Sequence, residues 1–481
     1  MNEDTDSSFE QALDRMAEDF LLLQPKGMIL PHILALLVLK RSSDMQAERG
    51  VSSTSYTIPE GFEWDALIEY RGNIAKKIDK LLMSLEDANP LTLKGLSDIR
   101  FTSLHKHSTE LDSILRITIS ELAAFSLKSE DITVNMPSKG LLFYLIDKEP
   151  SSSRMFPSHA FTDHYRLLAA LLDPQEHMSI LDPFMRFGSS LSEVATFIKE
   201  HAGNPSNAYL MGLTNSQLTA LIVRMNFFIN NIHVTDISEK SYLSTSQENY
   251  LPGLVSDGYG NPMKFDVVIS YISKSWAPNS LLRNTQGMEK MHYSYQDRTG
   301  FPLMKHAISM LNSTGKAGFI IPLISLSSKG KDANIRKELI DTDLVEAAIS
   351  IPQSKKSRAM HYSILIFNLN KAPDMRGKVM FIKVPSSGSI QNDSISDEMV
   401  LKVTEAVKNR SDYAGFSKLV TADEITNNQY DLLPALYVRA LPPIIDSDVK
   451  EEYKTLAKIH TRKQELMRSI SKRLEYLGYD M

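Results

Sequence analysis

The chain has 481 residues, of which 42% are hydrophobic and 23% charged, with a net charge of −5 and a pI near 6.2. That balance excludes a disordered or fibrous chain and one wrapped wholesale around nucleic acid, so any such contact is regional. The sequence contains no cysteine, which removes disulfides, thiolate zinc sites and cysteine nucleophiles from consideration.

The N-terminal MNEDTDSSFEQ is acidic and lacks the basic-then-apolar order of an export signal, so a cytoplasmic location is expected. MILPHILALLVLK, from Met28 to Lys40, is too short to span a bilayer and carries Pro31 and His32, which predicts a buried helix and no membrane partner. Helical spacing recurs at Ile74, Ile78, Leu81, Leu82 and Leu85, so residues 1–150 read as a helical domain, with the Ser- and Thr-rich Ser52 to Pro59 as a loop. Beyond it, short β-rich runs alternate with helices: MSILDP, NAYLMGL, FDVVISY, GKAGFIIPL, VEAAISIP and YSILIFNL, with KVMFIKV as a further strand. The alternation predicts an α/β fold, a doubly wound parallel sheet over residues 151–385 covered by helices on both faces. Residues 386–447 read as a Ser-rich linker and a core-closing segment, and 448–481 as a charged helix. In that helix Tyr453, Leu456, Ile459, Leu466, Ile470, Leu474 and Leu477 follow a three-four repeat that Lys463 interrupts, the pattern of either a docked surface helix or a coiled-coil partner. No internal repeat is evident.

Four stretches in order, ILPHILALLVLKRSSD with IPEGFEWDALI, LLDPQEHMSILDPFMRFGSSL, HAISMLNSTGKAGFIIPLISLSSKGKDANIRKELID and ITNNQYDLLPALYV, resemble the M (modification) subunit of type I restriction-modification systems, an adenine-N6 DNA methyltransferase family. The resemblance covers nearly the whole chain. It implies an S-adenosylmethionine-dependent methyltransferase-like core between N-terminal helices and a C-terminal helix, with DNA and further subunits, a specificity subunit or an intact methylase subunit, as partners. It also implies where the chemistry should lie.

In that family the first strand ends in Asp-Pro-x-x-Gly-x-Gly-Gly, whose glycines admit the methyl donor close to the backbone. Here the span is Asp182, Pro183, Phe184, Met185, Arg186, Phe187, Gly188 and Ser189, so only Asp182, Pro183 and Gly188 match. Arg186 in place of the first glycine either fills the space for the donor or turns outward to solvent. Ser190 and Glu193 read as a capping box for the next helix. After the second strand the family has an acid for the ribose hydroxyls; here Gly212 is followed by Leu213 and Thr214, and a threonine cannot accept from both hydroxyls as a carboxylate does. Asp236 reads as a turn residue rather than a ligand. The fourth strand should deliver Asn/Asp-Pro-Pro-aromatic, which grips and stacks a flipped adenine. FDVVISYISKSW instead offers Tyr271, Ile272, Ser273 and Lys274, none of which matches. Tyr271 is then a core or pocket-filling side chain, or a displaced stacking residue, and Trp276 a packing residue. FPSHAF, at 156–161, departs from the family's Gly-x-Phe/Tyr-Tyr-Thr-Pro segment as well.

The candidate cofactor contacts are thus Asp182, Pro183, Gly188 and Gly212, should a cofactor bind at all. The degenerate catalytic positions are Tyr271, Ile272, Ser273 and Lys274. Lys329, Lys331, Arg336 and Lys337 after the fifth strand, and Lys355, Lys356 and Arg358 after the sixth, are candidates for DNA phosphates or simply solvated loops. His105, His107, His292 and His361 lack a carboxylate at ligand spacing, so no metal site is expected. The expectation is a methylase-fold subunit without methyl transfer and without cofactor; the alternative is an active adenine-N6 DNA methyltransferase that uses S-adenosylmethionine.

Overall fold

The computed structural model describes residues 3–23, 29–48, 56–104, 108–128, 141–148, 161–214, 216–233, 236–239, 255, 261–272, 300–352, 361–385, 390–391, 394–439 and 449–476. Two compact units divide the chain, Met1–Val438 and Arg439–Met481.

Among the described residues the first unit begins with the helices α1 (Glu3–Leu23), α2 (Leu30–Ala47), α3 (Trp64–Glu69), α4 (Ile74–Ala88), α5 (Ser108–Leu122) and α6 (Leu141–Lys148). The apolar run predicted to be buried forms α2, interior on nearly every side. A helix buried all round must neutralise its own charges. Lys40 does so by pairing with Asp44 at 2.6 Å, and Asp44 also accepts from the Leu127 N–H at 2.6 Å.

The α/β part follows as α7 (Phe161–Leu172), β1 (Ser179–Asp182), α8 (Ser189–Glu200), β2 (Tyr209–Leu213), α9 (Gln217–Ile229), β3 (Asp236–Ser238), β4 (Phe265–Tyr271), α10 (Phe301–Ser309), β5 (Leu311–Pro322), α11 (Lys331–Asp341), β6 (Val345–Ser350), β7 (Tyr362–Asn368) and β8 (Lys378–Lys383). It ends in a two-stranded ladder, β9 (Ile390–Gln391) with β10 (Ser394–Ile395), then α12 (Asp397–Asn409), β11 (Ser417–Thr421), α13 (Ala422–Asn427) and α14 (Pro434–Tyr437).

The main sheet has nine strands in the order β11-β8-β6-β7-β5-β4-β1-β2-β3. All the predicted strands are present, but the sheet is mixed. β7 runs antiparallel to both β5 and β6, and β11 antiparallel to β8. The physical reason lies in the connections: too little chain separates β6 from β7 for a helical crossover, so β7 returns beside β6 in the opposite sense. Asp236, expected in a turn, opens β3, which pairs with Met211 to Leu213 of β2. The segment expected as linker and closing element contributes β11 to the sheet edge.

The helix α9, QLTALIVRMNFFI, is buried on all faces from Ala220 to Ile229 because it serves two cores. Leu221, Ile222, Met225, Phe228 and Ile229 pack with the N-terminal helices, while Val223 and Phe227 pack on the sheet side. Ser216 caps it, its hydroxyl accepting from the Thr219 N–H at 3.2 Å. Each fully buried side chain of this kind contributes roughly 1.5–3 kcal/mol, so α9 binds the helical layer to the sheet.

In the second unit the described part is one helix, α15 (Val449–Tyr476). Tyr453, Leu456, Ile459, Leu466, Met467 and Ile470 are all exposed along it.

Candidate functional site

Ligands in doubly wound sheets bind outside the carboxyl ends of the strands, where the strand order reverses. Here that point lies between β1 and β4. Asp182 ends β1 at that place and is 2% exposed. Its carboxyl is enclosed by this chain's own donors: the Ser270 hydroxyl of β4 donates at 2.6 Å, the Phe184 N–H at 3.0 Å, and the Ser190 hydroxyl of α8 donates to the second oxygen. Burial pushes the carboxyl from 3.8 up to about 6, against the pull of those three donors.

The predicted capping box does not form. Gly188 is the N-cap of α8 with no side-chain cap bond, and the Ser190 hydroxyl goes to Asp182 instead. Burial decides this, since an enclosed carboxyl needs a donor more than an accessible helix end does.

The two glycines expected to admit a cofactor both serve internal packing. Gly188 has φ +74°, and a Cβ on it would lie 2.5 Å from Phe227 Cζ and 2.8 Å from Val223 Cγ1 of α9. A Cβ on Gly212 would lie 2.2 Å from Met185 Sδ. Met185 is 1% exposed, and its N–H donates to the Leu213 carbonyl at 3.0 Å, so the loop after β1 is stitched to the end of β2. Pro183 and Thr214 are buried too, and the Thr214 N–H donates to the Ser238 carbonyl at 3.0 Å.

Tyr271, at the end of β4, is 4% exposed. Its ring meets Tyr362 of β7 edge-on, with centroids 5.8 Å apart and hydroxyls 3.5 Å apart. Burial raises the Tyr271 and Tyr165 phenols well above their ordinary range and raises that of Tyr362, so all three are neutral hydrogen-bonding groups. Arg186 is half-buried near this cluster: burial lowers its guanidinium, and the phenols of Tyr271, Tyr165 and Tyr362 act against that shift. His164 completes the group, its ring centroid 5.9 Å from that of Tyr362 and its imidazole held neutral by burial, down to about 4. The sequence drew attention to Arg186 and Tyr271; Ser270, Tyr165, His164 and Tyr362 were missed, as were the packing role of Met185 and the bond from Ser190 to Asp182, because only the folded sheet brings these groups together.

Ile272 is 2% exposed, and its N–H donates to the Ile320 carbonyl at 2.9 Å. A proline there has no N–H to give, so the chain continues along β5 where a proline pair would turn. Ser273, Lys274 and Trp276 lie outside the described residues, as do Lys355, Lys356 and Arg358 and most of FPSHAF.

Of the basic candidates, Lys329 is exposed and Lys331 opens α11. Arg336 is a correction. At 2% exposure it donates to the carbonyls of Tyr430 at 2.9 Å and Ser325 at 3.2 Å, to the Ser328 carbonyl, and to the Ser328 hydroxyl at 3.1 Å, with its guanidinium over Phe301. It ties α11 to two turns and presents nothing to a phosphate. Lys337, beside it, is engaged with Asp341 and Tyr430. Among the described residues no group of three or more His, Asp or Glu side chains could hold a metal ion, and no helix is long and apolar enough to cross a membrane.

Residues 161–442 match the family model for N-6 DNA methylase. The chain is 29% identical over 336 residues to the methylase subunit of the type I restriction enzyme MjaVIII of Methanocaldococcus jannaschii, covering 65% of this chain and 55% of that one. It is 24% identical over 333 residues to the HindI methylase subunit of Haemophilus influenzae, covering 65% and 72%. With MjaVII, another methylase subunit of the same archaeon, the match spans 52% of the relative, so the chain spans about half the length of these archaeal relatives. In fold it is similar to the type I restriction-modification methyltransferase subunit of Streptococcus thermophilus, with TM-score 0.68 at 16% identity over 90% of this chain and 100% of that one. A modification subunit of Vibrio vulnificus aligns with TM-score 0.58 at 14% identity over 86% and 93%. The expected architecture, a methyltransferase-like sheet with N-terminal helices and a C-terminal helix, is therefore the observed one. The matched core, the resemblance to type I modification subunits and the shared architecture together place this chain in the N-6 DNA methylase family.

Proposed function

We propose that this family member performs no methyl transfer and acts as a DNA-associated binding and assembly subunit of a restriction-modification-like complex. The observation that carries the reading is Tyr271: at the position where the family grips adenine, the side chain is buried against Tyr362 and its backbone runs on into Ile272 along β5. A phenol turned into the core supplies neither the amide oxygen nor the stacking face that the flipped base requires.

S-adenosylmethionine, the donor implied by the resemblance, finds a poor fit among these residues. The ribose acid is replaced by a buried threonine, the Asp182 carboxyl is already occupied by two hydroxyls and an N–H, and Arg186 brings a cation toward the place of a sulfonium. Other subunits, of the specificity or intact-methylase type, would engage the exposed stripe of α15, and DNA would meet the carboxyl edge of the sheet near Lys329. The whole would work in the cytoplasm.

The second reading, an active adenine-N6 DNA methyltransferase that needs a specificity partner, is favoured by membership of the N-6 DNA methylase family. One assay separates the two: tritiated methyl transfer to DNA by the purified chain, alone and with co-expressed neighbouring subunits, beside Tyr271→Ala. Counts at background in both settings are expected. Incorporation that Tyr271→Ala abolishes selects the second reading.

A further inference from the structure

At Gly188, which survives from the family's cofactor signature, and at Gly212 of β2, the space a Cβ would take is filled by this chain's own side chains. Over Gly188 lie Phe227 and Val223; over Gly212 lies Met185, whose sulfur leaves no room even for a methyl group. Two independent contacts hold that arrangement: the Met185 N–H on the Leu213 carbonyl, and the Phe184 N–H on Asp182. Phe184 is buried on one face of the sheet with Leu181 and Met211, and Met185 on the other with Ile180 and Leu191. The loop after β1 is thus anchored through both faces of the sheet, whereas a loop that grips a ligand keeps a side open toward it.

We infer that Met185, with Arg186 beside it, is an internal occupant of the nucleoside-binding crevice, so that the loop after β1 contributes to folding what its counterpart in a working methylase contributes to donor binding. This deepens the non-catalytic reading and rests on it. Thioether side chains suit such a role, since an unbranched chain adapts to an irregular gap left by a lost ligand.

The test uses the full chain in thermal denaturation, as wild type, Met185→Ala and Met185→Leu, each with and without S-adenosylhomocysteine at millimolar concentration. Met185→Ala is expected to melt several degrees below wild type, Met185→Leu close to it, and the wild type to show no shift with the ligand. Binding stabilises by mass action, so an open crevice would reveal itself as a rise in melting temperature. Such a rise in the wild type overturns the inference, and so does Met185→Ala melting with the wild type. If Met185→Ala does not fold, the wild-type ligand response alone decides. A ligand response without methyl transfer sinks this inference and leaves the non-catalytic reading standing; methyl transfer to DNA sinks both.

Discussion

Asp182→Asn tests the enclosed carboxyl most directly. The acid is buried and its value is raised from 3.8 to about 6. Its folded form therefore holds a proton that the unfolded chain has lost, and the stability linked to it is complete below 3.8 and drains away as pH rises through 6. With those values about half of the loss is reached by pH 5, and it saturates at about 3 kcal/mol by pH 8. Asparagine keeps the shape: its oxygen can accept from Ser270 and the Phe184 N–H, and its amide can donate to Ser190, whose hydroxyl rotates to suit. Because asparagine does not titrate, the variant should gain on the wild type by roughly 1 kcal/mol between pH 5 and pH 8. Urea unfolding of both proteins across that range measures the slope, and a constant offset from imperfect packing does not disturb it. A difference that stays level with pH would falsify the argument, and would mean that the two hydroxyls and the N–H stabilise the carboxylate enough to cancel its burial.

Gly188→Ala should destabilise by about 2–4 kcal/mol, the sum of a left-handed backbone and forced repacking against Phe227, seen as a lower melting temperature. Arg336→Met should cost about 3 kcal/mol or more, because three carbonyls and a hydroxyl lose their buried donor; unchanged urea unfolding would refute the structural role. Lys329→Ala should leave the melting temperature alone and lower the salt slope of DNA binding by about one; an unaltered slope in fluorescence anisotropy would remove that lysine from the interface. Leu456→Asp with Ile470→Asp should abolish co-elution with a co-expressed partner subunit in size-exclusion chromatography.

Local spacing was enough for the strands that carry the sheet and for the buried helix α2, because apolar periodicity is a property of neighbouring residues; the family followed from the resemblance of four ordered stretches to known modification subunits. It also marked the signature's departures at Arg186, Thr214 and Tyr271. Two misreadings had signals within reach. Arg336 shares the face of α11 with Leu339 and Ile340, three and four residues on, which points inward. Asp236 precedes Ile237 in the short run that becomes β3.

The remainder belonged to tertiary structure alone. Asp182 meets Ser190 eight residues away and Ser270 eighty-eight away, and no local pattern joins them. Met185 lies over Gly212 because β1 and β2 are paired in register, and Tyr271 meets Tyr362 because β5, paired to both strands, brings β4 and β7 to the same edge. Sequence determines which side chains are available and on which element they sit. Which of them shares a buried space, and so which carboxyl is protonated and which glycine is covered, follows from how strands far apart in the sequence are brought side by side by the sheet's hydrogen bonds.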